Sequence, residues 1–226
     1  MSEELISLRV PSSIQDFPIG EDSMVWVVGG WYGKHASYYV ETYGCNVVIF
    51  EPQADVADAL VRQFKGKPKV KVFPYGLGTE TVKAQMSRAG TDRCSFVHRL
   101  EGKDLGETTF EGPYIRAAIK DIAEVVQELG APDLCLMNCE GSEWVLLSYM
   151  VNTGLMSKFR FLMVQFHAHH EGVEMLDAIL EGMAKTHQVR DDYYPAWITW
   201  EPKPKPRKPR KPRAKKPATR KATNAS

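Results

Sequence analysis

The chain has 226 residues, 43% of them hydrophobic, with 29 Lys and Arg against 28 Asp and Glu. That is enough for one domain with a substantial core. No uninterrupted apolar run approaches 18 residues, which excludes a helical membrane span, and none of the four cysteines forms a Cys-x-x-Cys pair, which argues against a ribbon-type metal site.

The charge is unevenly distributed. Residues 203–226 hold 11 Lys and Arg and no acid, so the first 202 keep 18 basic and 28 acidic residues, a net −10. This predicts an acidic globular domain over 1–202 and a basic, proline-rich arm over 203–226. The arm is expected to be disordered, because it lacks the apolar side chains needed to offset ordering entropy. It reads either as a solubilising segment or as a sequence-blind contact to nucleic acid or another polyanion through Lys203 to Lys221. The N-terminus lacks an apolar signal core, so a soluble cytoplasmic protein is expected. Cys45 and Cys135 fall beside or within apolar runs and read as buried free thiols.

Residues 1–23 are mixed, with Pro11 and Pro18 breaking any long element. Met24 to Val28 is short, branched and aromatic, as a buried strand is. Gly29-Gly30-Trp31-Tyr32-Gly33 follows as a loop, His35 to Tyr43 as a helix stopped by Gly44, and Asn46 to Phe50 as a second strand ending in Glu51. Strand, glycine loop, helix, strand and acid make a nucleotide-type half-site, in which the acid can accept both hydroxyl protons of a ribose. An ordinary βα turn shares the glycines, whose spacing is not G-x-G-x-x-G. The position of Glu51, 18 residues past Gly33 at a strand end, favours the ligand reading.

Ala54 to Phe64 has apolar residues at helical spacing, and Lys69 to Phe73 reads as a strand. Pro74 to Gly78 reads as a turn. Thr81 to Met86 suggests hairpin strands, with glycines at 90, 102 and 106 between segments. Ile115 to Leu129 is expected to be a helix, and Asp133 to Asn138 a buried strand. A helix from about Ser142 to Val151, a strand from Phe159 to Phe166 and a helix from Val173 to Lys185 follow. Gln188 to Asp192 and Ala196 to Trp200 read as a closing hairpin. The alternation predicts an α/β fold with a mostly parallel sheet covered by helices on both faces. Its ligand edge, at the carboxyl ends of the strands, then carries Gly29 to Gly33, Glu51, Pro74 to Gly78, Asn138 to Glu143 and His167 to His170.

These clusters resemble the FkbM-type family of S-adenosylmethionine-dependent O-methyltransferases from about Val25 to His167. The carriers are Val27-Val28-Gly29-Gly30-Trp31-Tyr32-Gly33, Phe50-Glu51-Pro52, Tyr75-Gly76-Leu77-Gly78, Asn138-Cys139-Glu140-Gly141-Ser142-Glu143 and Gln165-Phe166-His167. The resemblance implies a Rossmann-like class I methyltransferase fold with a reversed last strand. It implies S-adenosylmethionine as cofactor. Gly29, Gly30 and Gly33 would face its methionine part, Glu51 its ribose, and the Tyr75-Gly76-Leu77-Gly78 segment its adenine; Asn138 belongs to the same cofactor set. It implies O-methylation of a sugar or other small-molecule hydroxyl. The family often has Asp at the position of Val27, Lys at Leu136, Asp at Asn138 and Glu at Gln165.

Alcohol methylation needs an aligned oxygen and removal of its proton. His167 is the candidate base or substrate ligand, against the alternative of a histidine bonded to a neighbouring loop. Glu140 is the candidate substrate ligand or orienter of His167. The plain reading of Glu140, and more strongly of Glu143, is a first-turn acid favoured by the helix macrodipole. Trp31 and Tyr32 either wall the cofactor or pack the loop. His167, His169 and His170 lack an acidic or thiol partner at ligand spacing, so no metal site is expected. The alternative function is a catalytically decayed binding module on the same fold, tethered to nucleic acid by the basic arm, since Val27 and Leu136 replace charged positions.

Overall fold

The computed structural model describes residues 16–89, 93–99, 114–167, 170–193 and 196–204. Seven strands form the main sheet. They are β1 (Met24–Val28), β2 (Asn46–Phe50), β3 (Val70–Phe73), β8 (Leu134–Met137), β9 (Phe161–Gln165), β10 (His187–Tyr193) and β11 (Trp197–Pro202), in the order β10-β11-β9-β8-β1-β2-β3. The pairs β1–β2, β2–β3, β1–β8 and β8–β9 are parallel, while β11 runs antiparallel to both β9 and β10. This is the predicted sheet with its reversed last strand.

Alternate side chains of the central strands go to opposite layers, and both layers are apolar. Trp26, Val28, Val48, Phe50, Cys135 and Met137 join one core. There they meet helices α3 (Ile122–Leu129), α4 (Ser142–Asn152) and α5 (His170–Met183). Val25, Val27, Val47, Ile49, Leu134 and Leu136 join the other core, with Ala36 and Tyr39 of α1 (Lys34–Tyr43) and Leu60 of α2 (Ala54–Gln63). Trp26 anchors the first layer, its ring 5.0 Å from that of Phe50 and edge-on to it.

Two expectations are corrected. Ile115 to Leu129 is not one helix. Tyr114–Asp121 is strand β7, and α3 begins only at Ile122, with the Asp121 side chain accepting the Ala123 N–H at 2.7 Å. Ile115, Ala117 and Ile119 alternate with Arg116, Ala118 and Lys120, which is the strand period. Two good helix formers, Ala117 and Ala118, and the lack of any Gly or Pro at the junction hid it. Pro74 to Gly78 is not merely a turn, because Gly76–Gly78 forms β4, paired in parallel with β7. The strands β4, β7, β5 (Val82–Ala89) and β6 (Arg93–Arg99) make a second sheet in that order, between β3 and α3 in the sequence. Ala84, Met86, Ala117 and Ile119 form its small buried cluster. The β5–β6 hairpin follows the expectation, whereas Gly90, Gly102 and Gly106 lie outside the described residues.

Candidate active site

The loop after β1 is stitched to the strands on either side. The Gly29 N–H donates to the Phe50 carbonyl of β2 at 3.0 Å, and the Asn138 N–H, past β8, donates to the Val28 carbonyl at 2.9 Å. Gly29 has φ +89°, and a Cβ there would stand 1.9 Å from the Asn138 carbonyl oxygen. Only glycine fits, because the loop lies directly on the backbone at the tip of β8. At Gly30 a Cβ would stand 2.5 Å from Ile49 and 2.7 Å from Leu60, so β2 and α2 fill that side. Gly33, with φ +71°, is the residue before α1. Trp31 holds φ +44° without being glycine, and its ring packs edge-on against Tyr32 at 4.7 Å. Tyr32 is 62% exposed.

Glu51 holds this loop. One carboxylate oxygen accepts the N–H groups of Gly30 at 3.0 Å and Trp31 at 3.1 Å, and the other accepts the Gln53 N–H at 2.9 Å. The residue is 3% exposed. Burial raises its pKa above the ordinary carboxylate value, and the three N–H donors oppose that rise only in part. The acid expected to meet a ribose is therefore also the fastening of the glycine loop. Beyond it, Tyr75 and Leu77 turn into the core, the Tyr75 ring lying 5.3 Å from that of Phe73. Gly76 lies under Ile119, whose side chain a Cβ would approach to 2.9 Å.

The next two strand tips carry Asn138, Glu140, Glu143 and His167. After β8 the chain runs Asn138-Cys139-Glu140-Gly141, with Glu140 at φ +52° and Gly141 at φ +101°, and then enters α4. Positive φ at Glu140 is strained for a residue with a Cβ. After β9, His167 faces both acids of this segment. Its Nδ1 is 3.0 Å from a Glu143 oxygen, and its Nε2 is 3.4 Å from Glu140. The side chains of His167 and Glu140 keep 22% and 26% of their surface exposed, whereas that of Glu143 keeps none. Burial alone would lower the His167 pKa. Hydrogen bonds to Glu140 and Glu143, with their charges, outweigh it and push the value up to about 9. Burial would raise Glu143, but its bonds to His167 and the imidazolium charge hold it below the usual carboxylate range. Burial and the Glu143 carboxylate push the Cys139 thiol well above its usual value. The Trp144 indole N–H donates to the His167 carbonyl at 2.8 Å and fixes the main chain there.

Glu143, read from the sequence as a first-turn helix acid, makes contacts that reading did not foresee. Its oxygens accept the His167 N–H at 2.7 Å and the Gly141 N–H at 2.9 Å in addition to the ring contact. An acid in a first helical turn carries no sign of this, since the macrodipole favours acids there anyway. What sets Glu143 apart is its complete burial.

Three buried polar atoms in these segments have no hydrogen-bond partner: Gln53 Oε1, Tyr75 OH and Asn138 Oδ1. Val27 and Leu136, where the resembled family has charged side chains, are fully buried in the apolar layer beneath the sheet. Among the described residues no group of three His, Cys, Asp or Glu is arranged to hold a metal ion. His169 lies outside the described residues. No helix among the described residues is long and apolar enough to cross a membrane. A separate groove of about 410 Å³ lies at the opposite edge of the sheet, lined by Glu21, Val40, Gly44 and the Gly66 to Lys69 turn. Its lysines are engaged, Lys67 with Glu41 and Lys69 with the carbonyls of Glu21 and Gly44.

No protein-family model matches this chain, and no curated protein matches it. Solved structures do. Fibrillarin from Aeropyrum pernix, crystallised with natively bound S-adenosyl-L-methionine, aligns with TM-score 0.50 and 11% identity over 87% of this chain and 73% of its own. The precorrin-6y C5,15-methyltransferase of Geobacter metallireducens GS-15 aligns with TM-score 0.49 and 9% identity, over 89% and 92% of the two chains. A putative rRNA methylase from Clostridium thermocellum aligns with TM-score 0.48 and 11% identity, over 84% and 92%. At such identities the likeness is one of fold. With the strand order above, it makes this a Rossmann-like class I methyltransferase fold.

Proposed function

We propose that the chain is an S-adenosylmethionine-dependent methyltransferase of the FkbM type, acting on a hydroxyl of a sugar or other small metabolite. One observation carries the reading: the glycine loop, Asn138, Glu140 and His167 stand together at the neighbouring tips of β1, β8 and β9, with Gly29 against the Asn138 backbone. The fit to the cofactor rests on the unpaired atoms of Gln53, Tyr75 and Asn138. A buried polar group without a partner costs ~1–3 kcal/mol, and an adenosyl ligand carries the hydroxyl, amino and ring-nitrogen groups that would pair with such atoms. Gly29, Gly30 and Gly33 would hold its methionine part, Glu51 the ribose, Tyr75, Gly76 and Leu77 the adenine, and Asn138 the segment nearest the glycines.

When bound, the sulfonium supplies the methyl group. The rest is work for the chain's own residues: excluding water, aligning the acceptor oxygen and managing its proton. His167 is an imidazolium at neutral pH, because Glu140 and Glu143 hold its proton up to about pH 9. In that form it donates a hydrogen bond to the acceptor and orients it, and the Glu140 carboxylate takes the hydroxyl proton. A role for His167 as the base itself would require the imidazole to be neutral first, and would show as a rate rising toward pH 9.

The decayed-module alternative drew on Val27 and Leu136. Both side chains satisfy the sheet core, so an apolar residue at these positions has a packing reason independent of catalysis. The basic segment Lys203 to Lys221 is assigned a tethering role toward nucleic acid or another polyanion, separate from the acceptor site.

The test is calorimetry of the purified protein with S-adenosylmethionine, then incubation with methyl-labelled cofactor and a small-molecule extract, with RNA and protein fractions in parallel. Binding and label in a hydroxylated metabolite are expected. Label confined to RNA or protein removes the acceptor assignment, and no binding removes the function.

A further inference from the structure

Glu143 is a charged side chain with no exposed surface, joined to the turn after one strand and to the end of another, at His167, 24 residues further along the sequence. One oxygen takes both the main-chain N–H and the ring Nδ1 of His167, at 2.7 and 3.0 Å. The other takes the Gly141 N–H at 2.9 Å and faces the Cys139 thiol at 3.6 Å. Burying a carboxylate is expensive unless it is fully hydrogen-bonded, and this one is. A helix-capping acid needs only the Gly141 contact. The contacts to His167 serve a different end. They fix the ring's rotamer and set which nitrogen faces outward, since a neutral or charged imidazole bonded this way carries hydrogen on Nδ1.

We propose that Glu143 is a positioning residue for methyl transfer, its buried carboxylate bracing the tip of β8 against that of β9 and holding the His167 ring with Nδ1–H inward and Nε2 toward Glu140. The proposal rests on the methyltransferase reading. It adds a residue that touches neither cofactor nor acceptor and acts through His167. The groups facing His167 are Glu143 from α4 and Glu140 from the turn before it, and the Cys139 thiol faces Glu143. Glu140 is the partly exposed member, so it alone can exchange His167 for a ligand. Glu143 stays in place through such an exchange. His167 therefore keeps one inner partner while its outer nitrogen changes partners, as a donor to an incoming hydroxyl must.

The test uses the whole ligand-free protein and needs no known acceptor. Ring nitrogens of the six histidines are followed by long-range proton–nitrogen NMR across pH 5 to 10.5, with His167 assigned by its loss in His167→Gln. Wild type is expected to keep the His167 imidazolium to about pH 9. Glu143→Gln is expected to lower that midpoint by about 1–3 pH units, the effect of losing an adjacent opposite charge. Glu143→Asp keeps the charge and should recover part of the shift. S-adenosylmethionine binding by wild type is measured separately by calorimetry. A wild-type midpoint near 6.5 overturns the proposal even if neither variant folds, and so does an unmoved midpoint in folded Glu143→Gln. Wild type that binds the cofactor with an unshifted His167 refutes only the brace. Wild type that fails to bind the cofactor refutes the methyltransferase reading, and the brace's catalytic role with it.

Discussion

Replacing Glu51 by alanine is expected to weaken the protein before any ligand is added. The carboxylate accepts three main-chain N–H groups, and those of Gly30 and Gln53 are buried. At ~1–3 kcal/mol for each stranded buried donor, two give about 2–6 kcal/mol. Water entering the vacated space and reaching the part-buried Trp31 N–H favours the lower half of that range, about 3 kcal/mol. That is a large share of a typical domain's ~5–15 kcal/mol. The assay is urea unfolding of ligand-free wild type and Glu51→Ala, followed by two probes to check cooperativity. The pH dependence adds a second constraint. Burial raises the folded-state pKa of Glu51, so its protonation favours the folded state. Its titration-linked contribution is then complete below the ordinary carboxylate pKa and is lost as pH rises through the raised value. The stability gap between wild type and Glu51→Ala should therefore widen as pH is lowered from 7. A gap below about 0.5 kcal/mol at pH 7, together with a tenfold or greater loss of cofactor affinity, would refute the fastening role and leave Glu51 as a ligand group alone.

Gly29→Ala should cost more than about 3 kcal/mol by thermal or urea unfolding, because its Cβ would meet the Asn138 carbonyl at 1.9 Å. Gly66→Ala, at a similar φ of +85° but with open space around it, should cost only the ~1–2 kcal/mol of left-handed strain; equal losses would refute the packing argument. Truncation after Pro202 should abolish binding to DNA and RNA at low salt and spare cofactor binding. Engagement of ~6 phosphates by the full chain gives a log–log salt slope near −5, and equal binding by both forms would refute the tether.

The sheet was legible because its central strands are short apolar runs bounded by Gly, Pro and acids, and the helices between them have the 3.6 period. Both layers take alternate residues of the same strand, so Val25-Trp26-Val27-Val28 needs no polar position at all. The reversed β11 was implied by the family resemblance, and the closing hairpin fits it. The second sheet was harder to read. Five of the eight residues of strand β7 are alanine or charged, and what fixes it as a strand is pairing with β5, which puts Ala117 opposite Ala84 and Ile119 opposite Val82. That pairing spans about 35 residues, and its local trace, the alternation of Ile115, Ala117 and Ile119, is blurred by the two alanines. The three residues of β4 were missed because a Gly-Leu-Gly run is a turn until a partner strand is known.

Glu51, expected from the sequence to meet a ribose, and Glu143, read from the sequence as a first-turn helix acid, turn out to share one physical role. Each is buried, each takes three N–H contacts, and each secures the loop at a parallel strand's carboxyl end. Such loops have main-chain donors that no strand pairing satisfies, and a buried carboxylate is the strongest acceptor a side chain offers them. Glu51 meets this need for the β1 loop from the tip of β2. Glu143 meets it for the turn after β8 and the end of β9. A spacing pattern identifies an acid at a strand end but says nothing of whether it turns to the solvent or to its own backbone. Here both turn inward, to their own backbone. Asn138 keeps an unpaired oxygen, and Glu140 sits in a strained conformation against a fixed imidazolium. Those are the side chains whose partners a ligand can complete or exchange, and they stand where the sheet gathers its strand tips.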